Sequence, residues 1–238
     1  IENTNYNLKT EKDKFILTIF EDRINYQSIP FYINVMQNSF EKGLNCPIAI
    51  KDNRGNFTNK FKDKKFGIFK FIKGKSKKVY SEKDCFEVGK IMANFHKINK
   101  NLINKHENSY SLNFWIRLFK EYRNSLNIII PGSQNIIEDE IKFLTKLWPR
   151  ELPKGIIHAD MFPDNVLFRS KEIPGIIDFY FSCYDFLSYD LAILINAWCF
   201  QNNKFNWRLA KQIIRGYESV RKITINEKKK FNILFRGA

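Results

Sequence analysis

The sequence predicts an α+β fold in which a small sheet comes first and a larger, mainly helical part follows. Three observations carry this expectation: strand-like apolar runs dominate the chain up to Gly74, helical periodicity takes over at Ser81, and short apolar runs return around residues 155–177.

Residues 6–8 and 14–20 (KFILTIF) read as a pair of strands, because apolar and β-branched residues dominate them and the polar turn 10–13 separates them. Residues 30–42 read as a helix. Pro30 is tolerated in a first turn, where a missing N–H loses no partner, and Gly43 suits the end. Residues 47–50 and 66–72 (FGIFKFI) read as two more strands, the first followed by a turn at 52–56, and residues 73–80 form the connection onward. Ser81 with Asp84 makes an acidic variant of a capping box, and Cys85, Val88, Met92 and Phe95 then recur at helical intervals up to about residue 98. Further helices fit 112–124 and 136–147, with Pro131 and Gly132 breaking the pattern between them. Strands at 155–157, 166–168 and 175–177 precede helices at 189–200 and 208–220, and no internal repeat is present.

The formal charge of +15 raises a nucleic-acid reading, because clustered cations release counterions on binding phosphates. The excess is mostly lysine, accompanied by many Asn, Ile, Phe and Tyr residues, a set that A/T-rich codons favour without any partner. The densest runs, 60–65, 73–78 and 228–230, read as loops or solvated helix ends, and no nucleic-acid-binding motif accompanies them. No apolar stretch approaches the roughly 20 residues that span a bilayer. Cys46, Cys85, Cys183 and Cys199 lack CxxC spacing, which fits a reduced, cytoplasmic protein without structural zinc. The chain starts at Ile1 and stops at Ala238 without recognisable ends, and we read it as truncated at both.

The chemistry is concentrated in HADMFPDN, His158 to Asn165, and in IIDFY, whose Asp178 stands thirteen residues after Asn165. This is the spacing of a kinase catalytic loop and its downstream metal-binding aspartate, so it implies phosphoryl transfer from ATP. The protein does little covalent work in that reaction, and positioning and charge neutralisation supply the acceleration. Asp160 is placed to take the acceptor hydroxyl's proton, a contribution of about 10²–10⁴-fold for a general base. Asn165 can ligate Mg2+ through a neutral amide oxygen, and Asp178 is the main Mg2+ ligand. His158 is expected to hold the loop by hydrogen bonds. Asp164 reads as an ordinary turn residue after Pro163, His96 as a packing residue, Asp190 equally as a helix cap or a functional group, and Trp198 as core before ligand.

The stretch from Gly155 to Phe200, and DFYFSCYDFLSYDLAILINAWCF within it, resembles the type II homoserine kinases of the aminoglycoside phosphotransferase and choline kinase superfamily. IENTNY, KFILTIFE, LNCPIAI with DNRG, and GYESVR are similar to the same family in the same order, so the resemblance covers nearly the whole chain. It implies a two-lobed protein-kinase-like fold: residues 1–75 as a small antiparallel-sheet lobe for the nucleotide, residues 76–238 as the helical catalytic and substrate lobe. It implies Phe71 and Ile72 as the hinge meeting adenine, and Glu2, Asn3 and Thr4 in a turn over the phosphates. The strand position that carries a phosphate-binding Lys or Arg in other kinases is Thr18 here, with Lys14 or Arg23 as possible substitutes. The implied reaction is ATP- and Mg2+-dependent phosphorylation of L-homoserine in threonine biosynthesis, with Asp185, Asn196 and Trp198 as positional guesses for acceptor contacts. Phosphorylation of choline, an aminoglycoside or methylthioribose is the alternative among enzymes, and a basic nucleic-acid-binding protein on a kinase-like fold is the alternative outside them.

Overall fold

The computed structural model describes residues 3–21, 24–102, 106–169, 173–201 and 203–238. Strands β1 (Asn3–Lys9) and β2 (Lys14–Phe20) form the expected hairpin, closed by Thr10, whose N–H and hydroxyl both donate to the Asp13 carbonyl. Helix α1 (Ile29–Glu41) follows, turning Ile29, Phe31, Tyr32, Ile33, Val35 and Met36 inward. Strands β3 (Thr58–Phe61) and β4 (Lys64–Lys70) complete a four-stranded antiparallel sheet in the order β1-β2-β4-β3.

Two expectations change in this part of the chain. Residues 47–50 do not form a strand; Ala49 alone bridges Phe69, two residues after a Pro47 that has no N–H to pair. Instead β3 lines that edge of β4, and its sequence TNKF is too polar to announce a strand. The lysine run 60–65 is therefore a β-hairpin rather than a loop or a helix end, with Lys62 at its tip in the left-handed region at φ 53.

The helical part begins with α2 (Glu82–Ile98), whose capping box closes through the Ser81 hydroxyl and the Asp84 carboxylate. Helices α3 (Leu112–Ile129) and α4 (Ser133–Leu147) form a hairpin, each longer than the periodicity suggested. Strand β5 (Lys154–Ile157) pairs with β8 (Cys183–Phe186), and β6 (Val166–Leu167) pairs with β7 (Gly175–Ile176). Helix α5 (Leu187–Trp198), the short hairpin β9 (Phe200–Gln201) and β10 (Lys204–Phe205), α6 (Trp207–Glu218) and α7 (Ile225–Arg236) finish the chain.

Strand β8 was missed because Asp185 interrupts its apolar character, and α7 because KKK reads as a solvated run. The signal for α7 was nonetheless present: Thr224 and Glu227 form a full capping box, and the lysines 228–230 lie within the helix. One buried cluster joins Phe20 and Phe69 of the sheet to faces of α1, α2, α5 and α6. A second packs Ile157, Leu187, Tyr189 and Leu234 against Trp115 and Trp148. The sheet thus sits against the helical part along the segment 155–180, which carries the sequence-predicted chemistry.

Candidate active site

Strand β5 delivers its last residue, Ile157, into the core, and the string His158 to Asn165 fills the gap before β6. The loop closes on itself. The Phe162 N–H donates to the Asp160 carbonyl at 2.8 Å, and Pro163–Asn165 form a single 3-10 turn that leaves Asp164 exposed, as expected of a turn residue. Asn165 Nδ2 donates both to the Asp160 carbonyl and to its Oδ2, each at 2.8 Å. The Ile177 N–H then donates to the Asn165 carbonyl at 3.0 Å, which brings Asp178 alongside. Asp160, Asn165 and Asp178 are therefore assembled at one place by local hydrogen bonds. Ala159 and Asp178 both adopt φ 62, a left-handed conformation that costs a non-glycine residue about 1–3 kcal/mol and persists only where surroundings enforce it.

At Ala159 the enforcing group is one the sequence left open. Asp190 lies in the first turn of α5, wholly buried, and accepts the His158 N–H at 2.9 Å through Oδ2 and the Ala159 N–H at 2.8 Å through Oδ1. His96 of α2 meets the same Oδ2 through Nε2 at 2.9 Å, and its Nδ1 meets the Tyr217 hydroxyl of α6 at 2.8 Å. Burial works to raise the Asp190 carboxyl, yet the His96 hydrogen bond, the imidazoles nearby and the loop amide outweigh it and hold its pKa below the usual carboxylate value. Arg221 extends the network from the Tyr217 hydroxyl, at 3.2 Å, to both oxygens of buried Glu227, at 2.9 and 3.0 Å. Asp190 is thus a tether for the catalytic loop rather than a helix cap, and His96 bonds to it as well as packing. His158 takes the Asp160 N–H on Nδ1 at 3.3 Å, and its ring lies between Phe95 and Phe179; burial lowers its pKa to about 4, so it is a neutral acceptor.

A cavity of about 220 Å³ lies between the sheet and the segment Ile177 to Tyr180, lined by Asn5, Thr18, Phe71, Ile72, Ile177 and Asp178 among others. Phe71 and Ile72 share it with Asp178. Thr18 is buried in the central strand β2, with its hydroxyl donating to Asn5 Oδ1 at 2.7 Å and the Tyr180 hydroxyl bonded to it. Burial raises the Tyr180 phenol well above its usual value, so the position carries neutral groups only. Lys14 stands over the Phe71 ring at 6.0 Å, at the hinge end of β2, and Arg23 lies outside the described residues. Asn3 and Thr4 are not in a turn: they pair with Phe20 and Ile19 in the hairpin, and Thr4 bonds Glu21 at 2.7 Å. Glu2 lies outside the described residues. Asn5 and Tyr180 went unnamed in the sequence, although their strand register and the DFY triplet marked both places.

The three residues offered for the acceptor are each held by hydrogen bonds within the protein. Trp198 is wholly buried and donates its indole N–H to the Met161 carbonyl at 2.9 Å, supporting the loop from behind. Asn196 donates to the carbonyls of Phe235 and Ala238, holding the end of the chain on α5. Asp185 accepts from Asn108 Nδ2 and from the Phe186 N–H, both at 2.7 Å, and lines a separate cavity with Arg150 and Lys154.

Asn165 Oδ1 and the Asp178 carboxylate are hard oxygen donors that suit Mg2+, which takes one or two protein ligands and completes its shell with substrate phosphates. Among the described residues there is no cluster of three or more His, Cys, Asp or Glu that could hold a metal ion.

The model of the phosphotransferase enzyme family matches residues 1–223. The homoserine kinase of Beijerinckia indica subsp. indica is 38% identical over 238 residues, covering 100% of this chain and 74% of that protein. That of Rhizobium meliloti is 35% identical over 239 residues, covering 100% and 73%. Among solved structures, the amicoumacin kinase hAmiN in complex with AMP-PNP, Ca2+ and Ami superposes with a TM-score of 0.78 at 16% identity, over 98% of this chain and 75% of that one. The choline kinase of Cryptosporidium parvum gives 0.65 at 17% identity, over 98% and 77%. These two establish a shared kinase-like fold.

Proposed function

The chain belongs to the phosphotransferase enzyme family, and from that premise we propose that it transfers the γ-phosphoryl group of ATP to the side-chain hydroxyl of L-homoserine, giving O-phospho-L-homoserine for threonine biosynthesis. The observation that carries the reaction type is the pair of Asn165 hydrogen bonds to Asp160, which fixes a carboxylate beside the Asp178 loop. The acceptor rests on identity to homoserine kinases along the whole chain.

Asp160 accepts the proton of the acceptor hydroxyl as the new O–P bond forms and the bond between the γ-phosphorus and the β,γ-bridging oxygen breaks. ADP leaves with that electron pair. The Asn165 amide orients the Asp160 carboxylate by one oxygen, leaving orientation rather than covalent chemistry as the loop's contribution. Mg2+ held by Asn165 and Asp178 would supply charge neutralisation of the phosphates. That supply matters here because the β2 position that other kinases give to a cation holds Thr18. Phe71 and Ile72 would receive adenine, Asn3, Thr4 and Asn5 the phosphate side of the cleft. Residues 1–75 would then act as the nucleotide lobe and 76–238 as the catalytic lobe, in a cytoplasmic enzyme. No helix among the described residues is long and apolar enough to cross a membrane.

The test is ADP release from ATP with Mg2+ and a panel of acceptors. Homoserine turns over, while choline and kanamycin do not; turnover of choline alone overturns the acceptor assignment. Asp160→Asn abolishes transfer and retains nucleotide binding, and a fully active variant removes the base.

A further inference from the structure

With Asp185, Asn196 and Trp198 engaged elsewhere, the acceptor needs another place, and the ladder between β5 and β8 ranks the options. Cys183 pairs with Ile157, three residues before Asp160, whereas Asp185 pairs with Gly155, further back along the strand. Because the two strands are antiparallel, the residues preceding Cys183 lie at the nearer end of the ladder, the end from which the chain continues to Asp160. A cavity of about 170 Å³ opens on that nearer side, walled by Tyr180, Phe181 and Cys183, with Asn25, Ser28 and Tyr32 at the start of α1 and His106, Ser109 and Tyr110 opposite. Tyr180 also lines the cleft that holds Asp178, so the two cavities share a wall.

We propose that this cavity is the acceptor subsite, taking a small zwitterionic amino alcohol with its hydroxyl toward Asp160. This deepens the reading above and rests on it for the reaction type. Its volume is on the scale of a small amino acid. Aromatic rings supply the ammonium site: Tyr110 and Phe181 lie 5.6 Å apart, Tyr32 and Tyr180 5.8 Å, and ring faces attract a cation in a partly dry cavity. Neutral donors supply the carboxylate site. The Gln27 N–H occupies Asn25 Oδ1 at 3.0 Å, leaving the Asn25 NH2 as donor, and the Ser109 and Tyr110 hydroxyls stand with it. His106, bonded across 3.5 Å to the Tyr32 hydroxyl, is held below its usual pKa by burial and adds no fixed charge. Specificity then comes from shape and hydrogen bonding rather than from a salt bridge.

The experiment measures steady-state KM for each substrate in Asn25→Ala and Tyr110→Ala, both at solvent-accessible positions, with Asn25→Asp and Tyr110→Phe as milder partners and Asp185→Asn as the comparison. The proposal expects the homoserine KM to rise roughly tenfold in each alanine variant, the scale of one lost polar contact, while the ATP KM stays within about twofold. Asn25→Asp, which sets a carboxylate against a carboxylate, raises the homoserine KM further than Asn25→Ala does. Unchanged homoserine KM in both alanine variants, or a rise confined to Asp185→Asn, overturns it. If the wild-type enzyme phosphorylates choline and not homoserine, the assignment of homoserine fails on its own; the same variants assayed with choline then decide the cavity, Tyr110→Ala being expected to raise its KM.

Discussion

Replacing Asp190 by Asn keeps the shape of the side chain and removes its charge, which isolates the tether on the catalytic loop. The carboxylate accepts three hydrogen bonds in the core, from the His158 and Ala159 amides and from His96. An asparagine can keep those on one oxygen only. Its NH2 would then face the Ala159 N–H, leaving a buried donor unsatisfied at about 1–3 kcal/mol, and the remaining bonds lose their charge assistance at about 1 kcal/mol more. The expected loss is therefore about 2–4 kcal/mol out of a typical 5–15 kcal/mol. For a chain of this size that lowers Tm by roughly 4–16 °C. The released amides are the ones holding Ala159 left-handed next to Asp160, so kcat should fall by about 10²-fold, the scale of an ångström of misplacement, while the ATP KM changes little. Differential scanning calorimetry and initial rates at saturating substrates measure both. An Asp190→Asn enzyme with wild-type Tm and wild-type kcat would refute the tether.

Three further outcomes follow from neighbouring features. His158 has a folded pKa of about 4 against 6.5 when unfolded, so its contribution to stability is complete above pH 6.5 and is lost as pH falls toward 4. That amounts to roughly 3 kcal/mol, visible as a slope in urea midpoints across this window that His158→Gln flattens. Gly89→Ala should lower Tm sharply, because a Cβ there would overlap the Ile213 carbonyl of α6; overpacking of this kind costs about 1–3 kcal/mol or more, and an unchanged melt would contradict the close helix contact. Cys46, Cys85 and Cys199 are buried, and burial raises their thiols to about 12, so these three should react with a thiol reagent only at the protein's unfolding rate. Rapid labelling of any of these three in native buffer would contradict that burial.

Elements with a clear period or cap were legible: β2, α1, α2 and α6 lie within one or two residues of their expected ends, because local signals and tertiary packing agree there. The polar edge strand β3, the interrupted β8 and the lysine-bearing α7 were not, since pairing partners and a distant core decide them. In the site, HxDxxxxN and Asp178 were readable because their spacing is local. Asp190 was left undecided because its role depends on amides 31 and 32 residues away, and Trp198 was offered as an acceptor contact although its indole serves a main-chain carbonyl in the core. Thr18 was recognised as a departure, but its neutral partners Asn5 and Tyr180 become visible only when β1, β2 and the DFY segment meet.

The close crossing of α2 and α6 also bears on how the enzyme can diversify. Gly89 abuts the Ile213 carbonyl, and Gly216 reciprocally abuts that of Phe86, so each helix presents a notch to the other's main chain. His96, seven residues after Gly89, and Tyr217, directly after Gly216, meet because those notches set the spacing. A slide of either helix by one residue would put Val88 or Lys90 where Gly89 sits and would part that imidazole from that phenol. The register of two helices far from any substrate is thereby converted into the placement of Asp160. Drift at this one crossing would therefore reach Asp160 through His96 and Asp190 without any change in the string His158 to Asn165 itself.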